Sequence, residues 1–256
     1  MGILEGKRIL VTGLTARNSI AFRVAQIAQQ EGATIMVSNF GRAMRMTRRS
    51  CMGLDPRPPL LELDVTKKED LDRLADEVEK NLGGLDGVVH AIAYANPFQA
   101  MGGLFMQTPW ESVDESLEIS AYSLVALARA CLPVLHEGSA IVGLSFESRV
   151  SWHAYDWMGV SKATLEAISR YLARFVGPLG IRSNIISSGP LDTLSKNAIP
   201  LKNHEDEKWN LRAPIAWDVH DTTATALATV ALLSDFFPST TGEVIHVDGG
   251  FHSAGM

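Results

Sequence analysis

The chain has 256 residues, of which 46% are hydrophobic and 20% are charged, and its formal net charge is −6. This length and apolar content suffice for a substantial core within one large α/β domain, so we expect a single domain over residues 1–256. The negative charge argues against a nucleic-acid or anionic-membrane surface, because both partners require a cationic field. The composition therefore favours a protein that binds small molecules.

The two cysteines and the amino-terminal segment bear on the compartment. Cys51 and Cys131 are far apart and form neither a CxxC pair nor a disulfide framework, which favours a reducing cytoplasm and argues against structural zinc. The first residues lack the long apolar run of a signal peptide, and we expect no apolar stretch of membrane-spanning length. The sequence thus predicts a cytoplasmic protein with no metal, membrane or nucleic-acid partner.

Short β-branched runs alternate along the chain with longer segments of helical period, the pattern of parallel strands joined by covering helices. The predicted strands are residues 8–12, 34–38, 60–63, 87–91, 140–144, 183–186 and 243–247. The predicted helices are residues 19–31, a helix ending at Leu82 for which Thr66 and Glu69 have capping-box spacing, residues 113–135, a helix carrying Tyr155 and Lys162, and residues 222–234. Right-handed crossovers turn this order into an α/β doubly wound Rossmann sheet of about seven parallel strands with helices on both faces.

Ligands of such a sheet bind in the crevice beyond the carboxyl ends of the strands, so functional residues should directly follow strands. The candidates do so: Gly13, Asp64, Ile92, Phe146 and Leu191 follow the first, third, fourth, fifth and sixth strands. This agreement between position and topology carries more weight than any single motif.

The turn after the first strand predicts a dinucleotide site only weakly, since it holds one glycine where the usual fingerprint has three. Gly13 lets the chain approach a pyrophosphate, and Ser19 either donates to that ligand or serves as an ordinary helix N-cap. Asp64 either accepts a hydrogen bond from the adenine amino group or forms a local turn. Phe40 either lies against the adenine or belongs to the core. The residues alone leave these alternatives open.

The choice between NADH and NADPH also stays open at this point. No acidic residue follows the second strand in Ser38-Asn39-Phe40-Gly41-Arg42, where one would bind the ribose of NAD. Four arginines, at positions 42, 45, 48 and 49, either receive a 2′-phosphate or form a solvated helix face, and we prefer the second interpretation.

Tyr155 and Lys162 are seven residues apart, nearly two helical turns, which places both on one face of one helix with about 10 Å between their backbones. In this arrangement the ammonium bonds the nicotinamide ribose, while the phenol reaches the carbonyl of an enoyl thioester and stabilises the negative charge that forms there. On the spacing alone, the preferred interpretation is a half-buried aromatic residue and a surface charge.

Over residues 1–256 the chain resembles the enoyl-acyl carrier protein reductases of bacterial fatty-acid synthesis, most closely their actinobacterial branch, within the short-chain dehydrogenase/reductase superfamily. The most specific feature is the separation of Tyr155 from Lys162 by six residues, since typical members of the superfamily have three. Matching segments are Gly-Lys-Arg-Ile-Leu-Val-Thr-Gly at 6–13, Ser-Ile-Ala-Phe at 19–22, Leu-Asp-Val at 63–65, Leu-Asp-Gly-Val-Val-His at 85–90, Ile-Ser-Ala-Tyr-Ser at 119–123 and Val-Asp-Gly-Gly at 247–250.

The resemblance implies roles for individual residues. Tyr155 would be the carbonyl partner, Lys162 the ribose ligand and Phe146 a neighbour of the nicotinamide, with Met158 and Ile199 binding substrate. It implies cofactor contacts by Gly13, Ser19, Ile20, Phe40, Asp64, Val65, Ile92, Ala93, Lys162, Leu191 and Thr193. It also implies a homotetramer, an enoyl thioester on acyl carrier protein or coenzyme A, and NADH as cofactor, with NADPH not excluded.

Some positions depart from the family pattern. Ala91 and Ala93 stand where serine and glycine are common, and Asp192 replaces an arginine near the cofactor. A substrate-covering loop is expected at about residues 191–211, shorter than in the mycobacterial enzyme. Within it, residues 195–199 and Trp209 are candidates for a mobile flap over the acyl group, the alternative being an ordinary surface loop.

The leading hypothesis is therefore an NADH-dependent enoyl reductase of fatty-acid synthesis. The first alternative is a specialised paralogue that reduces another acyl or polyketide thioester or confers inhibitor resistance. The second is a cofactor-binding regulator without catalysis, against which the presence of both Tyr155 and Lys162 argues.

Overall fold

A computed structural model describes residues 2–200 and 205–254. Seven parallel strands form one sheet in the order β3-β2-β1-β4-β5-β6-β7, which confirms the predicted doubly wound Rossmann fold. The strands are β1 (Arg8–Thr12), β2 (Thr34–Asn39), β3 (Leu60–Glu62), β4 (Leu85–His90), β5 (Leu135–Phe146), β6 (Arg182–Ser188) and β7 (Val244–Val247).

Helices cover both faces of this sheet. They are α1 (Ile20–Gln30), α2 (Ala43–Ser50), α3 (Lys68–Asp72), α4 (Leu74–Leu82), α5 (Trp110–Leu117), α6 (Ser123–Cys131), α7 (Asp156–Val176), α8 (Leu194–Asn197), α9 (Glu205–Arg212) and α10 (Thr223–Leu233). Successive side chains of β1 point to opposite faces, so Ile9 and Val11 pack with residues of α1 and α10, while Leu10 packs with residues of α4, α6 and α7. The continuous apolar run Ile9–Val11 in β1 thus reflects burial on both sides.

The long helix predicted at 113–135 begins earlier and is not regular. It starts at Trp110, passes through a π-helical turn at Glu118–Tyr122 and ends in a short 3₁₀ turn at Leu132–Val134, so β5 begins five residues before the predicted strand. The stretch Trp110–Val134 contains a segment with a mean hydropathy of 1.4 and is long enough to span a membrane. Our expectation that no apolar stretch reaches membrane-spanning length is therefore wrong by these two criteria. In the fold it packs against the sheet through Leu124 and Leu127, as a core helix does.

The helix expected to run from Thr66 to Leu82 is divided at Arg73 into α3 and α4. Thr66 does not cap it: the N-cap position falls on Lys67, and the Thr66 hydroxyl donates to the Asp64 carboxylate at 2.7 Å. The capping-box prediction is therefore wrong, because the helix begins one residue later than a Thr66 cap requires.

Candidate active site

A cavity of about 1110 Å³ opens at the carboxyl ends of the strands, where the topology predicts a ligand crevice. Every site residue predicted from the sequence lies in its wall: Gly13, Ser19, Ile20, Phe40, Asp64, Val65, Ile92, Ala93, Phe146, Tyr155, Met158, Lys162, Leu191, Thr193 and Ile199. The fold thus brings together residues from almost the whole chain, while their individual roles stay predictions.

The turn after β1 depends on Gly13. Its φ is +71°, and an added Cβ would lie 2.1 Å from the carbonyl oxygen of Ala91, so a side chain cannot be accommodated there. Ser19 is the N-cap of α1, because its hydroxyl accepts from the backbone N–H of Phe22 at 3.2 Å and donates to the carbonyl of Ala16. The N-cap interpretation of Ser19 is confirmed, and the amino terminus of α1 lies beside the cavity.

Asp64 and Phe40 lie in the part of the cavity over β2 and β3. The Asp64 carboxylate accepts the backbone N–H and the hydroxyl of Thr66, so it forms a local turn as the second interpretation holds. Phe40 is 44% exposed and does not belong to the core, which leaves its ring available to a ligand.

Charged side chains near the end of β2 come from the 42–49 segment and from Glu62 on β3. All four arginines of the 42–49 segment are exposed and none lies in the cavity wall, as the solvated-face interpretation predicts. A carboxylate reaches the end of β2 from the neighbouring strand, although it lies outside the cavity wall: Glu62 pairs in register with Asn39, and its carboxylate accepts the backbone N–H of Gly41 at 3.2 Å. Only the strand register could have revealed this.

Tyr155 is the residue just before α7, which begins at Asp156, so the helix carries Lys162 but only borders Tyr155. Both nevertheless lie in the wall of the same cavity, as their spacing predicts. Tyr155 lies between two non-glycine residues with left-handed backbone, Ala154 (φ 62°) and Asp156 (φ 40°). Such residues cost on the order of 1–3 kcal/mol each and persist where the surroundings impose them. Here the Asp156 carboxylate accepts the backbone N–H groups of Gly103 and Leu104.

The Tyr155 phenol is a hydrogen-bond donor at neutral pH, as tyrosines ordinarily are. Burial raises its pKa further above the ordinary value, so it also stays protonated in alkaline solution. The edge of its ring meets the Phe146 ring, with 5.5 Å between centroids. Among the described residues, no group is hydrogen-bonded to its hydroxyl, which lies on the cavity side.

Lys162 presents a buried ammonium to the cavity. The side chain is 7% exposed, and its Nζ donates to the carbonyl of Leu144 at 2.9 Å, which uses one of three N–H bonds. Burial lowers its pKa to about 8, an effect that the charge of Glu166 opposes. His90 is nearby and fully buried; burial, and the charge of Lys162, lower the pKa of its imidazole to about 3, so it stays neutral.

The loop expected to cover the substrate, at about residues 191–211, is described except for residues 201–204. Its residues 195–199 lie in the cavity wall. Trp209 is 1% exposed, stacks on Phe251 with 3.8 Å between centroids and donates to the carbonyl of Asp248. Because Trp209 is fixed in this aromatic cluster and does not line the cavity, its assignment to a mobile flap is wrong.

Asp192, a departure from the family pattern, has a structural use. Its carboxylate accepts from the side-chain amide of Asn197 at 2.9 Å and lies 3.4 Å from the His220 ring nitrogen. The replacement of a cation by this acid therefore helps to hold α8 beside the cavity. Ala93 is exposed in the wall and leaves the opening clear.

This fold and site define a class of protein. A doubly wound sheet, a helix amino terminus beside a glycine turn, a buried ammonium with unused donors and a protonated phenol in one cavity are the parts of a short-chain dehydrogenase/reductase. These hydrogen-bond donors fit a nicotinamide dinucleotide. The first backbone N–H groups of α1 have no carbonyl acceptor within the helix and can bind its phosphates.

Comparison with known proteins narrows the class. A model of the enoyl-(acyl carrier protein) reductase family matches residues 13–252. The chain is 42% identical to the enoyl-acyl-carrier-protein reductase (NADH) of Mycolicibacterium smegmatis and 41% identical to that of Mycobacterium avium, in each case over 97% of both chains. It is 34% identical to the enoyl-acyl-carrier-protein reductase (NADPH) of Staphylococcus aureus, over 98% of both. The chain belongs to the enoyl-acyl carrier protein reductase family, as the resemblance in its sequence implied.

Proposed function

We propose that this protein reduces the double bond of a trans-2-enoyl thioester, carried on acyl carrier protein, with NADH as the hydride donor. The observation that carries the proposal is the pair formed by the protonated Tyr155 phenol and the buried Lys162 ammonium in one cavity wall. Family membership supports the same reaction, and two of the most similar relatives are named as NADH enzymes.

The chain's own groups have separate tasks in this reaction. When bound, the reduced nicotinamide supplies the hydride. As the β-carbon of the substrate accepts that hydride, negative charge accumulates on the thioester oxygen, and the Tyr155 hydroxyl donates a hydrogen bond to it. Lys162 binds the cofactor ribose with its unused donors, and Phe146 packs beside the reacting groups through its contact with Tyr155. The raised pKa of the phenol keeps its proton on Oη well above neutral pH.

The electrostatics at the end of β2 support NADH over NADPH. The Glu62 carboxylate already accepts the Gly41 N–H, one of the donors that a 2′-phosphate would need, and its charge repels a phosphate dianion. The arginines of α2 and its flank point to solvent. A ribose hydroxyl, by contrast, can donate to a carboxylate.

The acyl chain has an apolar surface to lie against. Met158, Met101, Ala95 and Ile199 belong to one hydrophobic cluster, which also packs against Tyr155 and borders the cavity. Residues 191–199, which include α8, line the same cavity and would cover this surface. An acyl carrier and coenzyme A present the same thioester, so the cavity accommodates either.

We further propose a cytoplasmic homotetramer. Tyr171, Phe175 and Leu179 are 70%, 73% and 55% exposed along α7 and the turn that follows it, and Tyr122 is 48% exposed in the preceding helical stretch. Large apolar side chains exposed at such spacing along a helix favour burial against another copy. Sedimentation at micromolar concentration tests this, and a monomer would contradict it.

One assay tests the reaction itself. Purified protein is mixed with a trans-2-enoyl thioester and NADH or NADPH, and oxidation of the dinucleotide is followed by absorbance. We expect turnover with NADH on enoyl substrates and none on a β-ketoacyl thioester. Turnover of the ketone instead would make the protein a carbonyl reductase, and dinucleotide binding without turnover of either thioester would make it a regulator.

A further inference from the structure

Glu166 is a buried acid with no part in the reaction described above. It lies on α7 one helical turn beyond Lys162, is 7% exposed and does not line the cavity. A buried carboxylate is costly unless charged or hydrogen-bonding partners satisfy it. Both of its oxygens are satisfied here: Oε1 accepts the Ser145 hydroxyl at 2.7 Å and Oε2 accepts the Ser148 hydroxyl at 2.6 Å.

We propose that Glu166 is a positioning residue, which fixes the carboxyl end of β5 against α7 and keeps the neighbouring Lys162 ammonium charged for cofactor binding. The inference rests on the proposed function, because it assigns Glu166 to the same dinucleotide site.

The hydrogen bonds form a short ladder between helix and strand. Lys162 donates to the carbonyl of Leu144, and one turn later Glu166 accepts from Ser145 and Ser148. Two consecutive turns of α7 thereby hold residues 144–148, and Phe146 lies in the middle of that segment. Since the Phe146 ring contacts Tyr155, the ladder sets the position of both aromatic residues. Buried, fully satisfied networks of this kind make a local structure rigid.

Charge is the second part of the inference. The groups that interact electrostatically with Lys162 are Glu166 on its own helix and the neutral His90 on β4. Glu166 opposes the lowering of the Lys162 pKa by burial. The other buried acid near the end of β5, Glu147, is paired instead with Arg149, which lies 2.8 Å away, and with His246. Arg149 also interacts electrostatically with Glu166, but the Arg149 side chain is largely exposed to solvent.

The direction of the pH effect follows from this arrangement. Lys162 has a pKa of about 8 and is the charged partner of the cofactor, so dinucleotide affinity should fall as the pH rises through that value. Without the negative charge of Glu166, the pKa falls further, and the loss of affinity should begin at lower pH.

The test is the Glu166→Gln variant, which keeps the shape of the side chain and removes its charge. NADH affinity is measured by fluorescence titration between pH 5.5 and 9.5, together with kcat/KM. We expect the alkaline fall in affinity to move down by about one pH unit, which at pH 8 corresponds to an affinity about fivefold weaker and approaches about tenfold above pH 9, with little change at pH 6. Ser148→Ala is the matched control, because it removes one hydrogen bond of the ladder and leaves the charge; its alkaline limb should stay where it is in the wild type, with a modest fall in kcat.

Several results would overturn the inference. An affinity lowered equally at every pH would reduce Glu166 to a structural role, and an unchanged pH profile with unchanged kcat/KM would deny it any role. If Glu166→Gln does not fold, Glu166→Asp carries the test, since withdrawing the carboxylate by one methylene should move the alkaline limb in the same direction by less, and an unmoved limb would contradict the inference. A wild-type protein that binds no dinucleotide or leaves enoyl thioesters intact would instead refute the proposed function.

Discussion

The part of the cavity over β1 and β3 and the part over β5 are built from different kinds of structure. In the first, polar side chains are satisfied by their immediate neighbours in the chain: Ser19 caps α1, and Asp64 accepts two hydrogen bonds from Thr66. The charged side chains of the 42–49 segment there lie in solvent. These are common turn and cap structures that a ligand would find already formed.

Over β5 the groups are perturbed. Lys162 and Glu166 are both buried charges, Tyr155 has a raised pKa and is flanked by left-handed residues, and its hydroxyl has no hydrogen-bond partner among the described residues. Perturbed groups of this kind cluster where chemistry occurs, because their strain and desolvation have to be imposed by the fold. The part over β1 and β3 therefore consists of ordinary local structure, whereas the part over β5, which holds both the proposed catalytic phenol and the proposed ribose ligand, consists of groups that only the folded core maintains.

Tyr155→Phe tests the part of the cavity over β5 most directly. Removing one preorganised donor should lower kcat on the order of 10²- to 10³-fold, while NADH affinity stays nearly unchanged. Steady-state kinetics and fluorescence titration measure the two effects separately. Tyr171→Phe is a matched control, since this tyrosine lies on α7 and is 70% exposed. A variant that lost cofactor affinity but kept kcat would reverse the assigned roles.

Lys162→Ala should lower the affinity for NADH. Hydrogen bonds to charged groups contribute about 1.5–3 kcal/mol, so NADH affinity should weaken roughly 10- to 100-fold. The substitution also leaves the Leu144 carbonyl without its donor and Glu166 without its neighbouring cation, so the Tm should fall as well. Lys80→Ala, on the exposed side of α4, serves as control. Unaltered affinity in Lys162→Ala would remove the ribose role.

How far the sequence predicts this site differs between the two parts. Strand order and the residues after each strand follow from periodicity and crossover rules, and these rules place Gly13 and Asp64 at the ligand crevice. Contacts between distant segments do not follow from periodicity. Glu62 next to Gly41 depends on the register of β3 on β2, and Glu166 next to Ser145 depends on how α7 lies on β5. Both are tertiary properties, which local patterns do not encode.

Glu62→Gln tests the preference between NADH and NADPH near the end of β2. With the charge gone, a 2′-phosphate no longer meets a carboxylate, and the ratio of kcat/KM for NADPH to that for NADH should rise by about five- to tenfold, equivalent to about 1 kcal/mol for a solvent-screened charge. Kinetics with both dinucleotides at fixed ionic strength measure the ratio. Glu79→Gln, which removes an exposed acid from α4, should leave it unchanged. A constant ratio in Glu62→Gln would mean that another group discriminates.

The smallest expected effect is that of Ser19→Gly, and it separates two functions of one hydroxyl. Glycine is itself a tolerated N-cap, so the loss of stability should be only about a few tenths of a kcal/mol, whereas Ser19→Ala should cost about 1 kcal/mol. If the Ser19 hydroxyl only caps α1, NADH affinity should follow stability and barely change in the glycine variant. If the hydroxyl also turns to the cofactor, affinity should fall by a similar factor of about five in both variants, since both lack the donor. Thermal unfolding and fluorescence titration on the same preparations distinguish the cases. We expect the first, because the hydroxyl proton is already donated to the carbonyl of Ala16 at 2.7 Å.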